Sequence, residues 1–126
     1  MSVDTRAADR VRIDPAPGAH GLAQARRFLG RYAQQSGFAQ ERADDLVQAA
    51  AELMAVGGGP HRVTAVAVRQ HRGHLTVLVD LDGLDRVDVA DEAAELLNGL
   101  SREWGWRRLP GRTQVWCDVS AQEAQA

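Results

Sequence analysis

A chain of 126 residues with 44% apolar and 25% charged side chains has room for one two-layer core, and it reads as a single domain over 1–126 with its core at about 10–119. Its net charge is −2, and the 15 basic and 17 acidic residues are spread along the length without a basic stripe, which argues against nucleic acid as a partner. No apolar run approaches the ~20 residues of a membrane span, and the polar N-terminus does not read as a signal peptide, so a cytoplasmic protein with no membrane partner is expected.

Arg10-Val11-Arg12-Ile13-Asp14 alternates polar and apolar and predicts a short first strand, ended by Pro15, Pro17 and Gly18. From Gly21 to Gln35 the residues Leu22, Ala25, Phe28, Leu29 and Tyr32 recur at helical spacing, and Ser36-Gly37 stops that helix. A second helix starts near Ala39 and carries Leu46, Val47, Ala50, Leu53 and Met54 on one stripe. Glu41, Asp44 and Asp45 favour its positive N-terminal end. Arg62 to Gln70 and His74 to Asp82 are alternating β runs joined by His71-Arg72-Gly73, a hairpin. Ala90 to Glu103 predicts a third helix with Ala93, Leu96, Leu97 and Leu100 inward. Trp106 to Leu109 and Arg112 to Val119 predict a second hairpin turning at Pro110-Gly111, and the small polar tail from Ser120 to Ala126 is expected to fray.

The order β-α-α-β-β-α-β-β predicts an α+β fold, a two-layer α/β sandwich in which three helices cover one face of a mostly antiparallel sheet. Strand alternation then sends Val11, Ile13, Leu75, Val77, Val79, Val115 and Cys117 inward against Phe28, Leu46, Leu53, Leu96 and Leu100. On the other face, Leu78 and Trp116 point outward. A Trp and a Leu on an uncovered sheet make the candidate partner surface.

Little in the chain points to catalysis. Cys117 is the sole cysteine and reads as a small buried hydrophobe. The four histidines (His20, His61, His71 and His74) never fall at i, i+4 on a helix; His71 and His74 flank a turn, are expected to be solvated, and imply no metal. Gly57-Gly58-Gly59 follows a helix and lacks a downstream Lys-Ser/Thr, so it is no phosphate loop.

Four features taken together are distinctive: the element order, Glu52-Leu53 on the second helix, Asp82-Gly83 after a strand, and Trp104-Gly105 followed by Pro110-Gly111-Arg112-Thr113-Gln114-Val115-Trp116. From Val11 to Val119 the chain resembles the anti-sigma-factor serine-kinase branch of the histidine-kinase-like ATPases. The resemblance implies that fold, and in the family a Glu-Leu-x-x-Asn helix supplies a base and an Mg²⁺ ligand. Here Glu52 is kept, but Val56 stands at the Asn position, and an aliphatic side chain cannot ligate a hard cation. The family's Asp-x-Gly-x-Gly motif, aligned on Gly83, meets Leu81 at the Asp and Asp85 at the second Gly, with Asp82 sent to the opposite strand face. Its phosphate-gripping Gly-x-Gly is replaced by Asp91-Glu92-Ala93, and Leu84 to Ala90 leave too short a connection for a nucleotide lid.

These departures predict a degenerate, non-catalytic regulatory protein that uses no cofactor, neither ATP nor Mg²⁺, and acts by protein–protein contact. A vestigial pocket would comprise Glu52, Val56, Leu81, Asp82, Gly83, Asp85 and Ala93. A sigma factor or an anti-sigma antagonist is the partner the resemblance implies, and a homodimer is left open. One alternative is an ATP-dependent anti-sigma serine/threonine kinase with divergent motifs and Glu52 as base. Another is a binder of an apolar small molecule in the emptied pocket.

Overall fold

The computed structural model describes residues 10–16, 18–59 and 62–122. Pro17, His61 and the tail residues 123–126, all used in the sequence reading, lie outside the described residues. Strand β1 (Arg10–Ile13) is followed by helices α1 (Ala19–Gln35) and α2 (Gln40–Ala55). The hairpin β2 (Val63–His71) and β3 (His74–Leu81) comes next, then α3 (Asp91–Leu100), then the hairpin β4 (Glu103–Leu109) and β5 (Arg112–Ser120).

All five strands join one antiparallel sheet in the order β1-β2-β3-β5-β4. The helices cover one face, as the element order predicts. Period-2 alternation sets which residues meet them: Leu75, Val77, Val79, Leu81, Val115, Cys117 and Val119 are essentially inaccessible. They pack with Leu29 of α1, Leu46, Ala50 and Leu53 of α2, and Leu97 of α3. Val11, Ile13 and Phe28, expected in the core, are half-buried at its margin.

Four expectations need correction. Helix α3 ends at Leu100, not Glu103, because Ser101 turns to extended backbone (φ −123°, ψ 156°) while its amide bonds the Leu97 carbonyl at 2.9 Å. Its hydroxyl bonds the same carbonyl, so a serine competing for a backbone acceptor closes the helix. The residues beyond become strand, and β4 starts three residues before Trp106; Trp104 lies opposite Cys117 and donates its indole N–H to Asn98 at 2.7 Å. Leu97 takes the core position and Leu96, about 100° round the helix from it, faces outward, 38% exposed. The start of the tail is also held: the Ala121 amide donates to the Gly73 carbonyl at 2.9 Å, and Ala121 packs against the core.

Candidate functional site

Two regions were singled out by sequence, the end of α2 facing the β3–α3 connection, and the helix-free face of the sheet. In the first, Val56 caps α2 and is half-buried against the core. Leu81 closes β3 and is fully buried. Gly57 follows, and a methyl group on its Cα would lie 3.0 Å from Leu84 Cδ1 and 3.2 Å from Leu81 Cδ1. The two leucines therefore fill the space beside the glycine, and Val87, 6% exposed, adds to the same apolar layer.

The connection that carries Leu84 is fastened from both sides. Thr113, fully buried on β5, donates its hydroxyl to the Leu84 carbonyl at 2.5 Å and accepts from Arg108 at 2.9 Å. On the other side Arg62 reaches the Asp82 and Gly83 carbonyls at 3.2 and 3.4 Å, and the Asp82 amide donates back to the Arg62 carbonyl at 2.9 Å. Gly83 has φ +75°, and a Cβ there would come 2.7 Å from the Arg62 guanidinium. The bare backbone that could admit a ligand is thus covered by an arginine of the same chain.

Of the expected pocket residues, the fold brings Val56, Leu81 and Gly83 around this plug. Glu52 is half-exposed on α2, without a hydrogen-bond or ion-pair partner among the described residues. The Asp82 side chain is exposed, Asp85 is 98% exposed beside Arg108 at 3.6 Å, and Ala93 is half-buried in the first turn of α3. These carboxylates point to solvent and do not converge on a common centre. Arg62, which organises the region, was missed by sequence because its partners lie twenty residues away.

The helix-free face carries a denser set of polar contacts. Leu78 lies on this face by register, but only 5% of its surface is exposed, which corrects its expected role as an exposed contact. It sits in a cross-strand row between Ala67 and Trp116, and Trp116 is half-buried, its ring 3.2 Å from where a Cβ of Gly105 would stand. The missing side chain at Gly105 lets the indole lie down on β4.

On one side of that row, Gln114 accepts from Arg107 Nε and Nη2 at 2.8 and 2.6 Å and donates to Asp80 Oδ1 at 2.9 Å. Asp80 Oδ2 pairs with Arg112 at 3.2 Å, and Asp80 and Gln114 are only 7% and 2% exposed. On the other side, His74 Nδ1 donates to Asp118 Oδ1 at 2.5 Å, and Thr76 donates to the same oxygen at 3.3 Å. With the threonine proton so used, His71 Nε2 is the donor in its 3.0 Å contact to Thr76 Oγ1. The two imidazoles stack at 4.4 Å and 9°. Burial, then the neighbouring His74, lowers the His71 pKa below its ordinary 6.5, against a smaller opposing pull from Asp118.

Neither histidine is simply solvated, which corrects the sequence expectation. Among the described residues no group of three His, Cys, Asp or Glu side chains could hold a metal. Cys117, on the core side of β5, is pushed up to about 12 by burial and then by Asp118, so its thiol is a packing group.

No family model matches the chain, and comparison with the curated proteins finds no match.

Proposed function

We propose that the chain is a non-catalytic regulatory protein that works by contact with another protein, of the anti-sigma-factor type implied by its motifs, and that it does so in the cytoplasm. The observation that carries this reading is the apolar plug: Leu84 and Leu81 pressed against Gly57, with Val56 at the position where a cation ligand would be needed. A nucleotide site needs open space, a hard oxygen ligand for Mg²⁺ and backbone amides free to meet phosphate. The corresponding positions here offer leucine methyls, an arginine lying on Gly83, and the carboxylates Asp85, Asp91 and Glu92. Fold resemblance alone does not bring activity with it.

The partner surface that remains is the helix-free face around Trp116. Differential scanning fluorimetry with millimolar Mg-ATP and Mg-ADP tests the reading. A ligand at a hundred times its Kd would stabilise the fold by about 2.7 kcal/mol. No shift is expected; a saturating rise of several degrees would overturn the proposal in favour of a nucleotide-dependent kinase.

A further inference from the structure

The helix-free face holds cations that have no counter-ion among the described residues. Arg10 on β1 and Arg69 on β2 stand directly opposite each other in the antiparallel register, both exposed. Like charges in that position destabilise a strand pair. Among the described residues neither arginine has an ion-pair partner, although Arg12 beside them is paired with Asp14 and Arg112 with Asp80. Arg107, at the far edge on β4, bonds the neutral carbonyl of Gln114, and among the described residues its charge is also unmatched. The acids on this face are otherwise engaged: Asp80 is held by Gln114 and Arg112, and Asp118 by His74, Thr76 and Arg102. Glu103, on β4, is an exposed carboxylate on this face with no partner among the described residues.

Between these arginines runs the row Ala67, Leu78, Trp116 and Gly105, in which Ala67 and Leu78 are buried and the half-buried indole of Trp116, lying over Gly105, offers the apolar surface. Arg69 and Arg107 are three strand spacings and four residues apart, a diagonal of roughly 20 Å that crosses Trp116. A helix of about 13 residues spans that length.

We infer that the helix-free face docks an acidic amphipathic segment of a partner protein, its carboxylates meeting Arg10 and Arg69 at one end and Arg107 at the other, and its apolar residues lying on Trp116. The charge pattern selects this occupant. A second copy of the chain would bring arginines against arginines, and with His71 and His74 stacked on each other, Trp116 by itself offers too little stacking for single-stranded nucleic acid. The inference rests on the partner-binding reading above and gives that partner its chemistry.

Fluorescence anisotropy with a labelled amphipathic helical peptide about 18 residues long, glutamates at both ends and leucines between, provides the test. The same peptide with lysine for glutamate is the control. The acidic peptide is expected to bind, more weakly as salt rises, and the basic one not to bind. Arg10→Glu/Arg69→Glu should weaken binding about tenfold or more, as should Trp116→Ala, while Arg26→Glu on α1 should leave it unchanged. Circular dichroism melts of each variant separate lost binding from lost fold; Arg69→Glu alone relieves the repulsion with Arg10 and serves if the double variant unfolds. Equal binding of the acidic and basic peptides, unchanged affinity in the arginine variants, or tighter binding of a single-stranded polythymidine would overturn the inference. A nucleotide-induced melting shift would instead sink the partner-binding reading itself.

Discussion

If Leu84 and Leu81 plug the end of α2, then Gly57 should resist even one added methyl group. Gly57 does not have a positive φ, so alanine there is not strained by its backbone. Replacing glycine at a compatible position normally stabilises by ~0.4–1 kcal/mol through the unfolded chain. The new methyl, however, would stand 3.0 and 3.2 Å from two leucine methyls, against an optimum of about 3.5–4.0 Å. Overpacking of that kind costs ~1–3 kcal/mol, so Gly57→Ala should destabilise by a net ~0.5–2 kcal/mol. Leu84→Ala removes the nearer clash, and in that background the substitution should be neutral or stabilising. The resulting coupling, ~1 kcal/mol or more, is within reach of a double-mutant cycle built from urea denaturation midpoints at constant m-value. Strict additivity, or a Gly57→Ala protein more stable than wild type, would mean that the space beside Gly57 is open and would remove the main support for a plugged site.

Other perturbations test separate parts of the structure. Val77 is fully buried on the central strand, so Val77→Ala should cost ~1–3 kcal/mol through lost burial and a cavity. Thr76→Ala on the other face should cost about 1 kcal/mol, since its hydroxyl links His71 to Asp118; a larger loss from Thr76→Ala than from Val77→Ala in urea titrations would put the register in error. The lowered pKa of His71 favours its neutral form in the folded state, so it has no effect on stability above pH 6.5. As pH falls below 6.5 the unfolded chain takes up the proton first, and stability is lost until pH passes the folded pKa. Comparison of urea midpoints at pH 7.5 and 5.5 should therefore show a smaller acid loss in His71→Gln than in wild type, and parallel losses would refute the assignment.

Much of the fold was legible because strand alternation is a local signal. Val77, Val79, Val115 and Cys117 could be assigned to the core from parity alone, and both hairpin turns from Gly73 and Pro110-Gly111. The end of α3 was not legible, since Ser101 is also compatible with a continuing helix and only its bonds to the Leu97 carbonyl reveal a stop. The candidate site was harder still. Arg62 over Gly83, Gln114 between Asp80 and Arg107, and the His71–Thr76–Asp118 cluster all join residues from separate segments of the chain. No spacing in the sequence encodes them until the antiparallel register is fixed. The same holds for Arg10 and Arg69, which are far apart along the chain and adjacent only across β1 and β2.

That last pairing bears on motion as well as on charge. Strand β1 has four residues, pairs with β2 alone among the described residues, and carries the Arg10–Arg69 repulsion at its outer end. It is the part of the sheet held by the fewest interactions, and segments of that kind open at free energies far below that of global unfolding. Backbone amides of Val11 and Ile13 should thus exchange with solvent deuterium long before those of Val77 or Val79 on the central strand. An anionic partner that neutralised the two guanidiniums would slow exchange in β1 selectively, turning a loosely held edge strand into a reporter of occupancy on the neighbouring face.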